Sequence, residues 1–367
     1  MKLGFSIYPE KASEEKILEY INQMALKDVK RVFCSFLQIS PKDEALLSSY
    51  QRILQTCQDK GLEVFADINE SLLLSLGWID DPVAKARAFG LSGIRLDEFE
   101  DKELLIQMVE NNQEFKIELN ASTGTYLLDF LIDQKVSLDN VTACHNFYPR
   151  KWTGLSIKRY QELSKVYKEK GIPLSAFICS DQAKDGAWEF DDHLVTLETH
   201  RDSSLIGQVK WFLADGLMDV LVLSTQFVES EEMTSLIQEF HANQEMIQLR
   251  VKVDRKLTEV EKNILGYPHT YRPDVSDYLL RSTMPRVVYK DEDNPPCEEV
   301  IRTQPGTVVI VNNLGGRYKN ELNICLKYMN LDITNNYIGQ IIDEDLDLLR
   351  GLEPGQSFRL IWEVASE

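Results

Sequence analysis

Eight times in the first two-thirds of the chain, a short run rich in β-branched and aromatic residues gives way to a longer run of helical period. The extended runs are LGFSIY from Leu3, RVFCSF from Arg31, LEVFADI from Leu62, GIRLD from Gly93, FKIELNA from Phe115, NVTACHN from Asn140, IPLSAFI from Ile172 and DVLVLST from Asp219. Strand then helix, repeated, predicts a parallel sheet with crossover helices, and eight such units predict a closed (β/α)8 TIM barrel. The helical runs carry recognisable ends. Ser40, Pro41, Asp43 and Glu44 open a helix whose Leu46, Leu47, Tyr50, Ile53, Leu54 and Cys57 form an apolar stripe before Gly61, and Asp101 is placed to cap the helix that follows it. The widest gap falls after the seventh strand, in DQAKDGAWEFDDHLVTLETHRD. In a barrel, that loop stands on the catalytic face.

Beyond EEMTSLIQEFHAN the texture changes to β-like runs (EMIQLRVKVD, GTVVIVNNL, SFRLIWEV) punctuated by Pro295, Pro296, Gly315, Gly316 and Pro354. The predicted organisation is therefore α/β, with a TIM-barrel domain over residues 1–244 and a small, mostly-β domain over 245–367. A net charge of −19 with no basic patch speaks against a nucleic-acid partner or an anionic membrane surface. No apolar run has membrane-spanning length. The six cysteines show no CxxC pair, and MKLGFSIYPEK lacks the apolar core of a signal segment, so a reduced, cytoplasmic chain is expected.

Side chains alternate along a strand, so the period of two sorts the rim residues. Arg95 and Asp97 share a face of GIRLD, Glu118, Asn120 and Ser122 align in the next strand, and Ser6 aligns with Tyr8 in the first. Asp67 ends the third strand and His145 the sixth. Their convergence on the C-terminal rim predicts an active site; the competing reading is a structural ion pair such as Arg95 with Glu118. The stretch HNFYPRKWTGLS (145–156) joins strand six to helix six and carries Asn146, Arg150 and Lys151 just before a helix start at Thr153 to Ser156, a natural seat for phosphate or carboxylate. LETHRD, on the long loop, adds Glu198, His200 and Arg201. Lys116 begins its strand, the wrong end for a Schiff base, and neither GxxxxGK nor GxGxxG is present. Asp67, Asp97, Glu118, His145 and His200 are metal-ligand types without HExxH-like spacing, and neither metal nor cofactor is expected.

Read together, LGFSIYPE, IRLDEF, LNAST, HNFYPRKWTGLS and TLETHRD, with the later HTYRPDVSDYLLRST and NNLGGRYKNEL, resemble the MupG-type family of 6-phospho-N-acetylmuramidases over nearly the whole chain. The departures are Val195, where a Pro is expected, and Glu98, where a smaller residue is expected. The resemblance implies a TIM barrel followed by a small cyclophilin-like β-barrel, and a cytoplasmic glycosidase of cell-wall recycling. Its implied substrate is a phosphorylated amino-sugar disaccharide, split between N-acetylmuramic acid 6-phosphate and N-acetylglucosamine. On this reading Asp97 and Glu118 form the first catalytic pair, with Glu198 as reserve acid. Arg150 holds one substrate anion and Arg201 the other, while Ser6, Asn120, His145, Asn146, Thr153, His200 and Arg317 complete the substrate site. Two other readings stay open: a metal-dependent sugar-phosphate isomerase or epimerase, and a non-catalytic phosphosugar-binding protein.

Overall fold

Parallel strands covered on both faces bury one side chain under the helices and the next inside the barrel, which is why the eight runs are apolar almost throughout. The computed structural model describes residues 1–37, 39–40, 42–111, 114–188, 192–297 and 302–364. In it the chain forms two compact units, one made of residues 1–205 and 217–234, the other of 206–216 and 235–367.

The first unit is the expected barrel. Strands β1 (Lys2–Ile7), β2 (Arg31–Ser35), β3 (Glu63–Ile68), β4 (Gly93–Leu96), β5 (Lys116–Asn120), β6 (Val141–Cys144), β7 (Leu174–Ile178) and β8 (Val220–Leu223) pair in parallel and in sequence order, and β8 closes on β1. Between them run α1 (Glu14–Ala25), α2 (Glu44–Asp59), α3 (Glu70–Ser75), α4 (Pro82–Phe89), α5 (Lys102–Val109), α6 (Tyr126–Asp133), α7 (Ile157–Glu169) and α8 (Leu205–Asp215), with α9 (Ser230–Gln244) after β8; α8 from Ile206 and α9 from Ser235 are counted with the second unit. Helix α2 buries Tyr50, Ile53, Leu54 and Cys57, the second half of its predicted stripe. Its start lies later than expected: Asp43, not Ser40, caps it by accepting from the Leu46 amide at 2.9 Å, and Pro41 lies outside the described residues. Asp101 caps α5 as expected, and Ser156 caps α7 by accepting from the Arg159 amide at 3.2 Å.

Inside the barrel, Tyr8, Phe33, Cys144, Phe177, Val220 and Val222 belong to one apolar cluster. The Phe33 and Phe177 rings meet edge to face with centroids 5.0 Å apart. All six cysteines are free.

The second unit adds β9 (Ile247–Val253), β10 (His269–Thr270), β11 (Leu279–Ser282), β12 (Arg302–Thr303), β13 (Thr307–Val311), β14 (Leu322–Cys325), β15 (Met329–Asn330), β16 (Asn335–Ile341) and β17 (Ser357–Val364), with short helices α10 (Glu259–Leu265), α11 (Pro285–Val288) and α12 (Leu346–Gly351). Seven of these strands form one mostly antiparallel sheet in the order β10-β17-β9-β16-β13-β14-β11, with only β17 and β9 parallel. Leu249, Val251, Ile310, Leu322, Ile338 and Leu360 belong to its buried core. A mostly-β second part is what the change of texture predicted.

Candidate active site

Three strands set the polar core of the barrel through their register. Asp67 on β3 lies beside Arg95 on β4, and Arg95 lies beside Glu118 on β5. Arg95 therefore has a carboxylate on each side, and it takes Asp67: its Nη1 donates to Asp67 Oδ1 at 2.6 Å, and its Nη2 donates to the Asn146 side-chain oxygen. Glu118 is claimed instead by Arg31 on β2, which also donates to Ser175 Oγ at 2.8 Å and lies over the Phe65 ring. The structural pair anticipated between Arg95 and Glu118 is thus two pairs with exchanged partners. The reason is supply: a second buried arginine, Arg31, points into the same interior.

Two hollows open at the C-terminal ends of the strands and share Asp97 and Asn146. The larger, about 630 Å³, is lined by Asp97, Glu98, Asn120, Thr123, Tyr126 and Asn146 among others. The smaller, about 200 Å³, is lined by Asp67, Arg95, Asp97, Asn146, Phe177 and Trp188 among others. Asn120 Nδ2 donates to Asp97 Oδ1 at 3.5 Å, and its Oδ1 accepts from the Ser122 amide. Glu98, where the resemblance led us to expect a smaller residue, takes a left-handed φ of +50°.

Asp67 has the most unusual carboxyl of the site. It is 6% exposed, and burial pushes its pKa from the ordinary 3.8 up to about 6. The Arg95 charge and hydrogen bond pull the other way, while Asp97 and Glu118 add to the rise. A carboxyl that keeps its proton up to about pH 6, on the wall of a hollow that also holds the Asp97 side chain, has a feature that acid catalysis uses.

The two motif-bearing loops form one stapled scaffold, not two separate anion sites. Tyr148 bridges to Val195 and Leu155 to Leu197, so residues 148–155 and 195–197 run side by side. Glu198 accepts from the Trp152 amide at 2.6 Å, the Gly154 amide at 2.7 Å, and Arg201 Nε and Nη2 at 2.8 Å each. A Cβ on Gly154 would meet Glu198 atoms at 2.8 Å, so glycine is required there. The hydrogen bond from Arg201, then the amides, hold the Glu198 carboxyl down at about 2. Its four hydrogen bonds favour the ionised carboxylate, which weighs against the reserve-acid role expected of it. Arg201 is 4% exposed, and its Nη1 also serves the carbonyls of Tyr148, Asp192 and His193. Its Nε, Nη1 and Nη2 are all engaged by Glu198 and loop carbonyls, which weighs against the second anion seat expected there.

The histidines are likewise interior. His145 is fully buried, 2.9 Å from Ser164 Oγ and 3.3 Å from Ser122 Oγ, and burial, helped by Arg95, lowers its pKa to about 3. His200 is also buried, with its pKa lowered to about 3 by desolvation. Both are neutral core imidazoles. Ser6 is buried with its hydroxyl on the Leu223 carbonyl at 2.6 Å. Thr153 is exposed and donates to the Arg150 carbonyl at 2.7 Å. Arg150 is exposed and follows Pro149, which lines the smaller hollow. Trp152 is 87% exposed at a left-handed φ of +64°. Arg317 belongs to the second unit, where its Nη2 donates to the Tyr318 hydroxyl at 2.7 Å. Among the described residues, no cluster of three or more His, Cys, Asp or Glu is arranged to hold a metal ion.

The structure thus brings Asp97, Asn120 and Asn146 to one mouth, buries Glu118, His145, His200 and Arg201, and bonds Glu198 to the two loops. The sequence reading placed Asp67 and Arg95 on the rim without giving either a catalytic or binding role, and it passed over the aromatic wall of Phe147, Phe177 and Trp188. Asp67 and Arg95 had a signal, since the period of two places both on the interior face.

Comparison with known proteins extends this picture over the whole chain. The N-terminal description of the 6-phospho-N-acetylmuramidase family matches residues 3–238, and its C-terminal description matches residues 247–361. The chain belongs to the MupG 6-phospho-N-acetylmuramidase family. As a member of that family it is a glycosidase. A solved structure of an uncharacterized B. cereus protein is similar at 34% identity and a TM-score of 0.83, with 98% of this chain and 99% of that one covered. A conserved Enterococcus faecalis protein of unknown function shares the fold at 23% identity and a TM-score of 0.67, over 99% and 97% of the two chains. No curated protein matches. No helix among the described residues is long and apolar enough to cross a membrane.

Proposed function

We propose that this 6-phospho-N-acetylmuramidase family member hydrolyses the bond between N-acetylmuramic acid 6-phosphate and N-acetylglucosamine in a phosphorylated disaccharide, in the cytoplasm, as a step of cell-wall recycling. The observation that carries the reading is the pair Asp67 and Asp97 on the wall of one hollow, the first with its pKa raised to about 6. Asp67 gives its proton to the leaving glycosidic oxygen as the bond to the anomeric carbon breaks. Asp97 faces the positive charge that develops on the sugar ring or orients the substrate's own N-acetyl amide against it. Water then supplies hydroxide to the anomeric carbon, and its proton returns to the carboxylate.

Asn120 and Asn146 offer amides to sugar hydroxyls at the same mouth. Phe177 and Trp188 offer faces on which a pyranose can pack. Arg150 remains the seat for a substrate anion, because among the described residues its side chain has no protein partner. Arg150→Ala is expected to raise KM for the phosphorylated disaccharide roughly tenfold, the scale of one charge-assisted hydrogen bond, with little change in kcat. An unchanged KM removes it from the site.

Incubating the full chain with the phosphorylated disaccharide should release two monosaccharides, separable by mass spectrometry. Substrate that stays intact after long incubation with excess protein refutes the proposal.

A further inference from the structure

A chain with a net charge of −19 places three arginines against one partly exposed tyrosine ring in its second unit. The guanidinium carbons of Arg317, Arg286 and Arg281 stand 4.9, 5.1 and 5.9 Å from the Tyr318 ring centroid. They come from separate elements: Arg281 from β11, Arg286 from α11, and Arg317 from the Asn313–Tyr318 turn. One carboxylate arranges two of them. Glu321, with a side chain 3% exposed, accepts from Arg281 Nε at 2.8 Å and from Arg286 Nη1 at 2.9 Å.

That arrangement leaves both terminal nitrogens of Arg281, and Nε and Nη2 of Arg286, without a protein partner among the described residues. Arg317 uses only Nη2, on the Tyr318 hydroxyl. The three cations share one hydrogen-bonded carboxylate; a second, Asp274, acts on Arg281 only at longer range and is itself bonded to Arg272, so positive charge is left in excess, and like charges held this close repel. The field is strong enough to bring the Tyr318 hydroxyl below the ordinary tyrosine range, the hydrogen bond from Arg317 being the largest cause. Arg281 and Arg286 keep side-chain exposures of 23% each, enough for a ligand to reach them while the protein fixes their planes. A buried acid that orients guanidinium forks and leaves their outer edges open is a preorganised oxyanion seat, and a phosphomonoester presents three oxygens and nearly two negative charges to it.

We propose that Arg281, Arg286 and Arg317, gathered around Tyr318 by Glu321, form a phosphate-binding site carried by the second unit itself. The site goes beyond the glycosidase reading and does not depend on it. Its ligand is a phosphate group, either free or borne by a sugar.

The test is calorimetric titration of the full chain with inorganic phosphate and with N-acetylglucosamine 6-phosphate, with neutral N-acetylglucosamine as control. Saturable binding of one or both phosphates is expected, and the tighter of the two identifies the source. Arg317→Gln and Arg286→Gln should each weaken it roughly tenfold, and the double variant more, since each removes a charge-assisted contact. Arg286→Gln leaves Glu321 its bond to Arg281, so the carboxylate is not orphaned, and an unchanged thermal midpoint checks the fold. Arg150→Ala, on the barrel loop, should leave this binding intact. The proposal is overturned by absence of saturable phosphate binding at millimolar concentration, by binding that survives both arginine substitutions in folded protein, or by binding that only Arg150→Ala removes.

Discussion

Asp67→Asn is expected to lower kcat by about 10²–10⁴-fold, the range supplied by a positioned general acid, while the fold persists. Asparagine is nearly isosteric and keeps an oxygen that accepts from Arg95, so the buried guanidinium retains a partner besides Asn146. What is lost is the transferable proton. The pH dependence gives an independent reading of the same group. Asp67 must be protonated to act, and its pKa is raised to about 6, so the wild-type rate should be level below pH 6 and fall about tenfold per unit above it. In Asp67→Asn the residual rate should lack that falling limb. The linkage to stability has the same sign: a carboxyl raised from 3.8 to about 6 favours folding fully below pH 3.8, and that contribution is lost as pH rises through 6. Asparagine does not titrate, so the variant should not share this loss. Near wild-type kcat in Asp67→Asn, or a falling limb that survives it, removes Asp67 as the acid.

The barrel was legible because its signals are local and repeated. Eight apolar runs separated by capped amphipathic helices leave few alternatives, and the strands appear where the runs predicted them. The mouth was partly legible for the same reason: alternation put Asp97 and Asn120 on the interior face, and both line the larger hollow. Partner choice across the barrel was not legible. Nothing local distinguishes Arg95 bonding forward to Glu118 from Arg95 bonding back to Asp67, and the outcome depends on Arg31 arriving from β2. The same limit explains Arg201. Its sequence neighbours Glu198 and His200 suggest a reactive cluster, yet the carbonyls it serves on Tyr148, Asp192 and His193 are supplied by how two loops meet. A buried arginine that closes a loop and an exposed one look alike in sequence; burial tells them apart, at 4% for Arg201 against an exposed Arg150. Trp152 was no more legible: it is 87% exposed in a left-handed turn, where its backbone N–H donates a hydrogen bond to the Glu198 carboxylate.

Glu118→Gln should destabilise the protein by about 3–5 kcal/mol, the usual penalty for breaking a buried ion pair, and leave kcat of the folded molecules near wild type. Glu118 is completely buried, paired with an Arg31 side chain that is 5% exposed, and approached by the Thr142 hydroxyl at 3.4 Å. Glutamine keeps the shape and an oxygen that can accept from Arg31, but it removes the negative charge, which leaves the guanidinium in the interior without a counter-charge, beside Ser175 Oγ and the Phe65 ring. For a unit of this size a loss of that order lowers the thermal midpoint by roughly 10 °C. Removing both charges together, as Arg31→Met with Glu118→Leu, should recover most of the stability, because neither residue then bears an uncompensated charge. The kinetic outcome separates a structural carboxylate from a chemical one. Were Glu118 the partner of Asp97 in catalysis, both variants would lose turnover whatever their stability, and restoring the midpoint would not restore kcat. A double variant that regains both its midpoint and its kcat places Glu118 among the residues that hold the barrel in shape beneath Asp67 and Asp97; one that folds but does not turn over returns it to the reaction.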